Sequence, residues 1–146
     1  MSASSPASAG DSRVTELDAD EALGLLAGVE FGRLACSQDA LPSIRVVNHV
    51  VDDDRIIVHT RLRSLIGTQI QRKHPAAVVV AYEADSISAE SQCGWSVVVT
   101  GLARLVTAPA LITRYGELVR PWVSLPMDTF VSIAPEIITG IRIRPQ

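Results

Sequence analysis

The stretch Ser43-Ile44-Arg45-Val46-Val47-Asn48-His49-Val50-Val51-Asp52-Asp53-Asp54-Arg55-Ile56-Ile57-Val58-His59-Thr60 is the one on which the fold turns. Both halves are rich in Val and Ile, whose branched Cβ atoms suit the pleated surface of a sheet. The polar cluster Asp52-Asp53-Asp54 divides them, so the spacing predicts a strand over 43–51, a tight turn, and a returning strand over 55–60. The three acids read as a solvated turn rather than a metal site, because no further carboxylate lies nearby in sequence.

Toward the N-terminus, Glu30–Ser37 is predicted as a shorter strand joined through the turn Gln38-Asp39-Ala40. Before it, Asp18 and Glu21 have the spacing of a capping box, and Ala22, Leu25, Leu26 and Val29 form one apolar stripe of a helix that Gly28 can stop. Residues 1–12, mostly Ser, Ala, Gly and Pro with no basic start, read as a disordered tail, with a single domain over 13–146. Toward the C-terminus, Ser64–Lys73 suits a short helix stopped by Pro75. Ala76–Glu83 is apolar enough for a strand buried on both faces, and Ala84–Gln92 reads as a loop. Trp95–Thr107 is a long strand with a bulge or bend at Gly101. Pro109 opens a second helix with Leu111, Ile112, Tyr115, Leu118 and Val119 on one side. Leu125–Met127 lies in a Pro-rich loop, and two short strands, Thr129–Ile133 and Ile137–Arg144, end the chain. Many strands with short turns and a few helices imply a mainly β fold, a β-barrel with peripheral helices.

The whole composition agrees. Of 146 residues 47% are hydrophobic and 4% aromatic, and Val and Ile together supply 29. A chain of this size buries roughly two-thirds of its unfolded surface, enough for a true core. Disorder, a coiled coil and a disulfide scaffold are excluded. No apolar run approaches the roughly 18 residues of a membrane helix, so no membrane span is expected. A net charge of −3 argues against nucleic acid as a partner. Cys36 and Cys93 form no Cys-x-x-Cys pair and have no ligand spacing with His49, His59 or His74, so no metal site is expected and a reducing cytoplasm fits.

Charge is distributed unevenly. Between Arg55 and Tyr82 there is no acidic residue, whereas Arg61, Arg63, Arg72 and Lys73 lie there with two histidines. Thr60, Arg61, Arg63 and Ser64 place hydroxyls and guanidinium forks just before a helix, the groups a phosphate dianion needs. A solvated basic loop would have the same composition. On the strand above, alternation puts Arg45, Val47 and His49 on one face and Ile44, Val46 and Asn48 on the other. Arg45 and Asn48 are unusual in so apolar a strand, and either a planar polar-edged ligand or a structural hydrogen bond would satisfy them. Trp95, next to Ser96, and Trp122 are the rings available for stacking on a ligand or for core packing.

In this order the segments resemble the pyridoxamine 5′-phosphate oxidase-like flavoproteins, the FMN-binding split β-barrels, and in particular their small actinobacterial type. The resemblance spans roughly Leu17 to Arg144. It rests on Gly32-Arg33-Leu34-Ala35, Pro42 to Asp52, Ile57-Val58-His59-Thr60, Gly94 to Gly101, Arg120-Pro121-Trp122 and Ile138-Thr139-Gly140. It implies a split β-barrel forming a homodimer with the cofactor site at the interface, acting on a small-molecule substrate as an FMN-dependent oxidoreductase. The strand residues matching Arg45, Val46, Val47 and Asn48 would run beside the flavin ring, and Thr60, Arg61, Arg63 and Ser64 would meet the phosphate. Trp95 and Ser96 would lie close to the flavin, and Trp122 would reach a neighbouring subunit's site. Two positions depart from the family pattern. Relatives often carry Pro-Val-Asn-Tyr where Val46-Val47-Asn48-His49 stands, and a phosphate-binding Lys where Leu65 stands. The deazaflavin F420 and haem are the alternative ligands, and an F420-dependent reductase or a non-catalytic flavin- or haem-binding module is the alternative role.

Overall fold

The computed structural model describes residues 13–61, 65–119 and 128–145. In chain order the elements are β1 (Val14–Glu16), α1 (Ala19–Ala27), β2 (Phe31–Gln38), β3 (Leu41–Asp52), β4 (Arg55–Arg61), α2 (Leu65–Lys73), β5 (Val78–Ser88), β6 (Cys93–Leu105), α3 (Pro109–Leu118) and β7 (Asp128–Ile143). The expected tail and the Pro-rich loop at 125–127 lie outside the described residues.

The β3–β4 hairpin is built by backbone geometry. β3 and β4 pair from Asn48↔His59 to Asp52↔Arg55, and the turn residues Asp53 and Asp54 both have positive φ, 52° and 58°. Asp39 (51°) and Ala40 (64°) make the matching turn between β2 and β3. Two left-handed residues give a turn the twist its flanking strands need, and Asp tolerates that conformation better than most side chains.

All neighbouring strands are antiparallel, in the order β1-β7-β4-β3-β2-β5-β6, and β6 pairs back onto β7. With β1 set aside at the end of β7, the other six strands close into a barrel. Inward-facing side chains fill it: Leu34, Ile56, Val58, Val80, Tyr82, Val97, Val99, Val131 and Ile133 are each at most 2% exposed. α1 closes one end with Ala22, Leu23 and Leu26 in the same core. It is capped as expected, the Asp18 carboxylate accepting from the Glu21 N–H at 2.8 Å.

Several expectations change. The segment over 84–92 is largely strand, β5 running on to Ser88 before turning into β6. The two closing strands are one, β7, whose pairing with β6 slips one residue at Glu136, between Thr100↔Ile137 and Gly101↔Pro135. Gly101 sits opposite that bulge, where a Cβ would come within 2.4 Å of the Ala134 carbonyl oxygen. β5 is not buried on both faces, since Val79 is 64% exposed beside buried Val78 and Val80. The strand covered on both sides is β4. Its outward Ile57 lies under α3 with Tyr115, Val119 and Phe130. α3 itself turns Leu111, Ile112 and Leu118 outward.

Candidate functional site

β3 is longer than the part of it that pairs with β4. The ladder stops at Asn48↔His59, while β3 continues back to Leu41 and remains paired to β2 along its whole opposite edge. The barrel therefore splits beside residues 41–47. Val47 and Thr60 are the next residues on the two strands past the last pair, and both are buried. Arg45, inward by alternation like Val47, is exposed at the opening and has no ion-pair partner among the described residues. Asn48 lies on the outer face and donates to the Glu30 carbonyl at 3.5 Å.

α2 follows β4 and packs against β5 and β6. Gln69 fastens it, donating to the Ser37 carbonyl at 3.2 Å and accepting from the Cys36 thiol at 3.3 Å. Burial pushes the Cys36 thiol pKa up, with the Ser43 hydroxyl acting weakly the other way, so at neutral pH it is a thiol rather than a nucleophilic thiolate. The first turn of α2 carries no acidic residue. Between α2 and the outer sheet lies a groove of about 770 Å³. Its floor crosses three paired strands through Ala35, Ala81 and Thr100, and Ser43 and Ile44 wall it on β3, directly before Arg45. Small floor residues leave a flat surface.

On the same outer face, Val46, Arg33 and Glu83 are lateral neighbours on β3, β2 and β5. Arg33 reaches Glu83 at 3.1 Å and Asp85 at 3.5 Å. Partial burial, and then the neighbouring Asp85 carboxylate, outweigh Arg33 and push the Glu83 carboxyl pKa up to about 7. This acid/base group was not identified from sequence. Its signal is a charge inside an apolar strand, and only the register joins residues fifty positions apart.

His49 belongs to the interior. Its Nε2–H donates to the Leu26 carbonyl at 2.9 Å, and its Nδ1 accepts from the Tyr82 hydroxyl. Both ring nitrogens are thus engaged, so His49 offers none to a metal or haem iron. Burial lowers its pKa, more than the Leu26 carbonyl raises it. The same Tyr82 ring lies where a Cβ on Gly32 would stand, 2.6 Å away, so the glycine of the Gly-Arg-Leu-Ala segment is required by close packing.

The predicted site residues therefore divide. Arg45, Val46, Val47, Asn48 and Thr60 meet at the split. Arg61 ends β4 there, and Arg63, Ser64 and Trp122 lie outside the described residues. Trp95 and Ser96 are on β6, three strands from β3 in either direction round the ring. Trp95 packs into the core at 8% exposure, while Ser96 lines a separate cleft of about 350 Å³ with Val98 and Thr139. Among the described residues no group of three or more His, Cys, Asp or Glu could hold a metal ion, and no helix is long and apolar enough to cross a membrane.

This architecture has known counterparts. A Mycobacterium tuberculosis protein, the uncharacterized Rv0080, is 52% identical over 130 residues, covering 89% of this chain and 86% of its own. A candidate pyridoxamine 5′-phosphate oxidase from Corynebacterium glutamicum superposes with a TM-score of 0.74 at 27% identity, covering 92% of this chain and 96% of that one. The FAD binding protein of Mycobacterium smegmatis superposes with a TM-score of 0.73 at 30% identity, covering 90% of this chain and all of that one. The family model for pyridoxamine 5′-phosphate oxidase matches residues 18–142, from the cap of α1 to the end of β7. A ring closed by β6 on β7 and split beside β3, together with that match, makes the chain a member of the pyridoxamine 5′-phosphate oxidase family.

Proposed function

We propose that the protein binds a flavin at the split beside β3 and acts as a flavin-dependent oxidoreductase. The observation that carries this reading is the groove of about 770 Å³ ending on β3 at Ser43 and Ile44. Its size is that of a small-molecule site, and its flat floor of small residues suits a planar ring. Arg45, the next residue along β3, is exposed at the split and forms no ion pair among the described residues, so it is the cation available where negative charge builds on a ligand at the opening. The acid-free first turn of α2, a few residues after Thr60 in sequence, suits a phosphate, with Thr60, Arg61, Arg63 and Ser64 as donors. FMN and FAD share the part these residues would hold. The similarity to a mycobacterial FAD binding protein supports a flavin over haem or the deazaflavin F420.

When bound, a flavin supplies the hydride and electron chemistry; this chain supplies binding, orientation and tuning. Buried Val47 lines the inner side of the split on β3, and Arg45 is the cation that would orient the ring edge. The reading includes a homodimer. Ser96 lies across the ring from β3, so a site that uses both draws them from two copies. Ile44, Val46, Val79 and Ile137, each more than half exposed, give the outer face an apolar surface to bury. Free Cys36 and Cys93 fit a reducing cytoplasm.

The visible spectrum of the purified protein tests this. A flavin spectrum whose chromophore passes an ultrafilter only after denaturation is the expected result. A Soret band, or no binding of FMN or FAD on titration, would overturn it. Replacing Arg61 and Arg63 together by Ala is expected to weaken FMN more than riboflavin. Equal losses would remove the phosphate from that segment.

A further inference from the structure

The apolar outer face of the barrel has a charged cluster set into it. Val46, Arg33, Glu83 and Val98 stand in register on β3, β2, β5 and β6. The next row runs from Ile44 through the groove floor, Ala35, Ala81 and Thr100, to Ile137. Arg33 and Glu83 thus lie one residue pair beyond the floor, between exposed Val46 and Val98, with exposed Ile44 and Ile137 at the ends of the row beside them. Asp85 follows Glu83 on the same face. Few charges face Glu83. β5 supplies Asp85, and β2 supplies Arg33, 3.1 Å from Glu83 and 3.5 Å from Asp85. On β6 the opposite residues, Val98 and Ser96, are uncharged, and the Tyr82 hydroxyl is turned inward to His49. α2 brings Lys73 to the groove lining. Along the Asp85 row the next acid is Glu16 of β1, beyond Ser96 and Ile141. Two carboxylates therefore share one guanidinium, and the cluster has a net negative charge when both are ionised.

From this arrangement we infer that the outer face closes on a second copy of the chain with one proton held in each Arg33–Glu83–Asp85 cluster, so that assembly takes up protons and tightens as pH falls. The inference rests on the homodimer reading above and adds what controls it. A two-fold axis brings the same patch of both copies together, so the excess charges of the two clusters meet with like sign. Between apolar faces they lose the water that screens them, and an unpaired buried charge is strongly unfavourable. A proton shared by Glu83 and Asp85 leaves one cation and one anion in each cluster. That pair is self-complementary, because Arg33 of one copy can face the acids of the other. A single copy is already poised for the change: partial burial and the Asp85 carboxylate raise Glu83 to about 7, and excluding the remaining water raises it further. A basic partner of another kind would act in the opposite sense, pairing with both ionised acids and binding tighter as pH rises.

The test is the dimer dissociation constant of the full chain, measured by analytical ultracentrifugation over a dilution series at about pH 6 and about pH 8, either side of the Glu83 value. Wild type, Glu83→Gln and Asp85→Asn are compared. Wild type is expected to dissociate about 100-fold more readily at the higher pH, about tenfold for the proton of each copy. Glu83→Gln leaves Arg33 paired with Asp85, and Asp85→Asn leaves it paired with Glu83, so neither variant has excess charge to bury. Both should lose the pH dependence and, at the higher pH, associate more tightly than wild type. A substitution that merely damaged the face would weaken association instead. A dimer with the same constant at both pH values, or variants that keep the wild-type dependence, would overturn the proton linkage and leave the homodimer reading standing. A dimer that tightens as pH rises overturns it too. A wild-type chain that stays monomeric at both pH values removes the homodimer and the linkage together.

Discussion

At the residue scale the chain Leu26–His49–Tyr82 ties three elements through one imidazole: the last turn of α1, β3 and β5. Tyr82→Phe leaves His49 Nδ1 buried and unpaired, so urea unfolding should show a loss of about 1–3 kcal/mol. The pH dependence has two opposing parts. His49 has a folded pKa below 6.5, so the unfolded chain takes up a proton that the folded chain refuses, and stability falls as pH drops below 6.5. Glu83 is raised from 4.5 to about 7, so its contribution is present at low pH and is lost as pH rises through that window. In Glu83→Gln the fall in unfolding free energy below pH 6.5 that His49 causes should no longer be offset by Glu83. A flat profile there would show that His49 is protonated without cost. Sequence alternation already put His49 with Val47. It left open what the ring touches, because Leu26 and Tyr82 come from segments 23 positions before and 33 after.

At the scale of elements, the β2–β3 and β3–β4 hairpins were legible because a turn is local: Gln38-Asp39-Ala40 and Asp52-Asp53-Asp54 are short interruptions between strand-forming segments. The single long β7 was not. Pro135 and Glu136 interrupt its apolar pattern, which in sequence looks the same as a break between strands. In the barrel they are a bulge that β6 accommodates at Gly101. Gly101→Val should therefore cost about 1–3 kcal/mol or more, since its Cβ would overlap the Ala134 carbonyl. Thermal unfolding reads this directly. By contrast, Arg114→Ala should cost less than about 1 kcal/mol. It removes the bonds from Arg114 Nη2 and Nε to Asp52, at 2.8 and 3.3 Å, but on the surface. Tyr115, Val119 and Phe130 hold α3 by burial instead.

At the scale of the whole molecule, the apolar outer face of β3 and β5 predicts assembly. Ile44→Lys combined with Val46→Lys, at positions 68% and 63% exposed in a single copy, should leave the barrel folded and shift light scattering to a monomer. Flavin affinity should fall with it; a wild-type monomer at micromolar concentration would remove the shared site. Composition, local turns and the two-residue period of the strands were enough to determine a β-barrel with helices at its margin, and they set apart the acid-free run from Arg55 to Tyr82. Those properties depend on neighbours in sequence. Closure of β6 on β7, the end of β4 pairing that opens the split at Arg45 and the Arg33–Glu83–Asp85 cluster depend on residues far apart in the chain. Only the register of a closed sheet brings them together, and that register was decided by the tertiary structure.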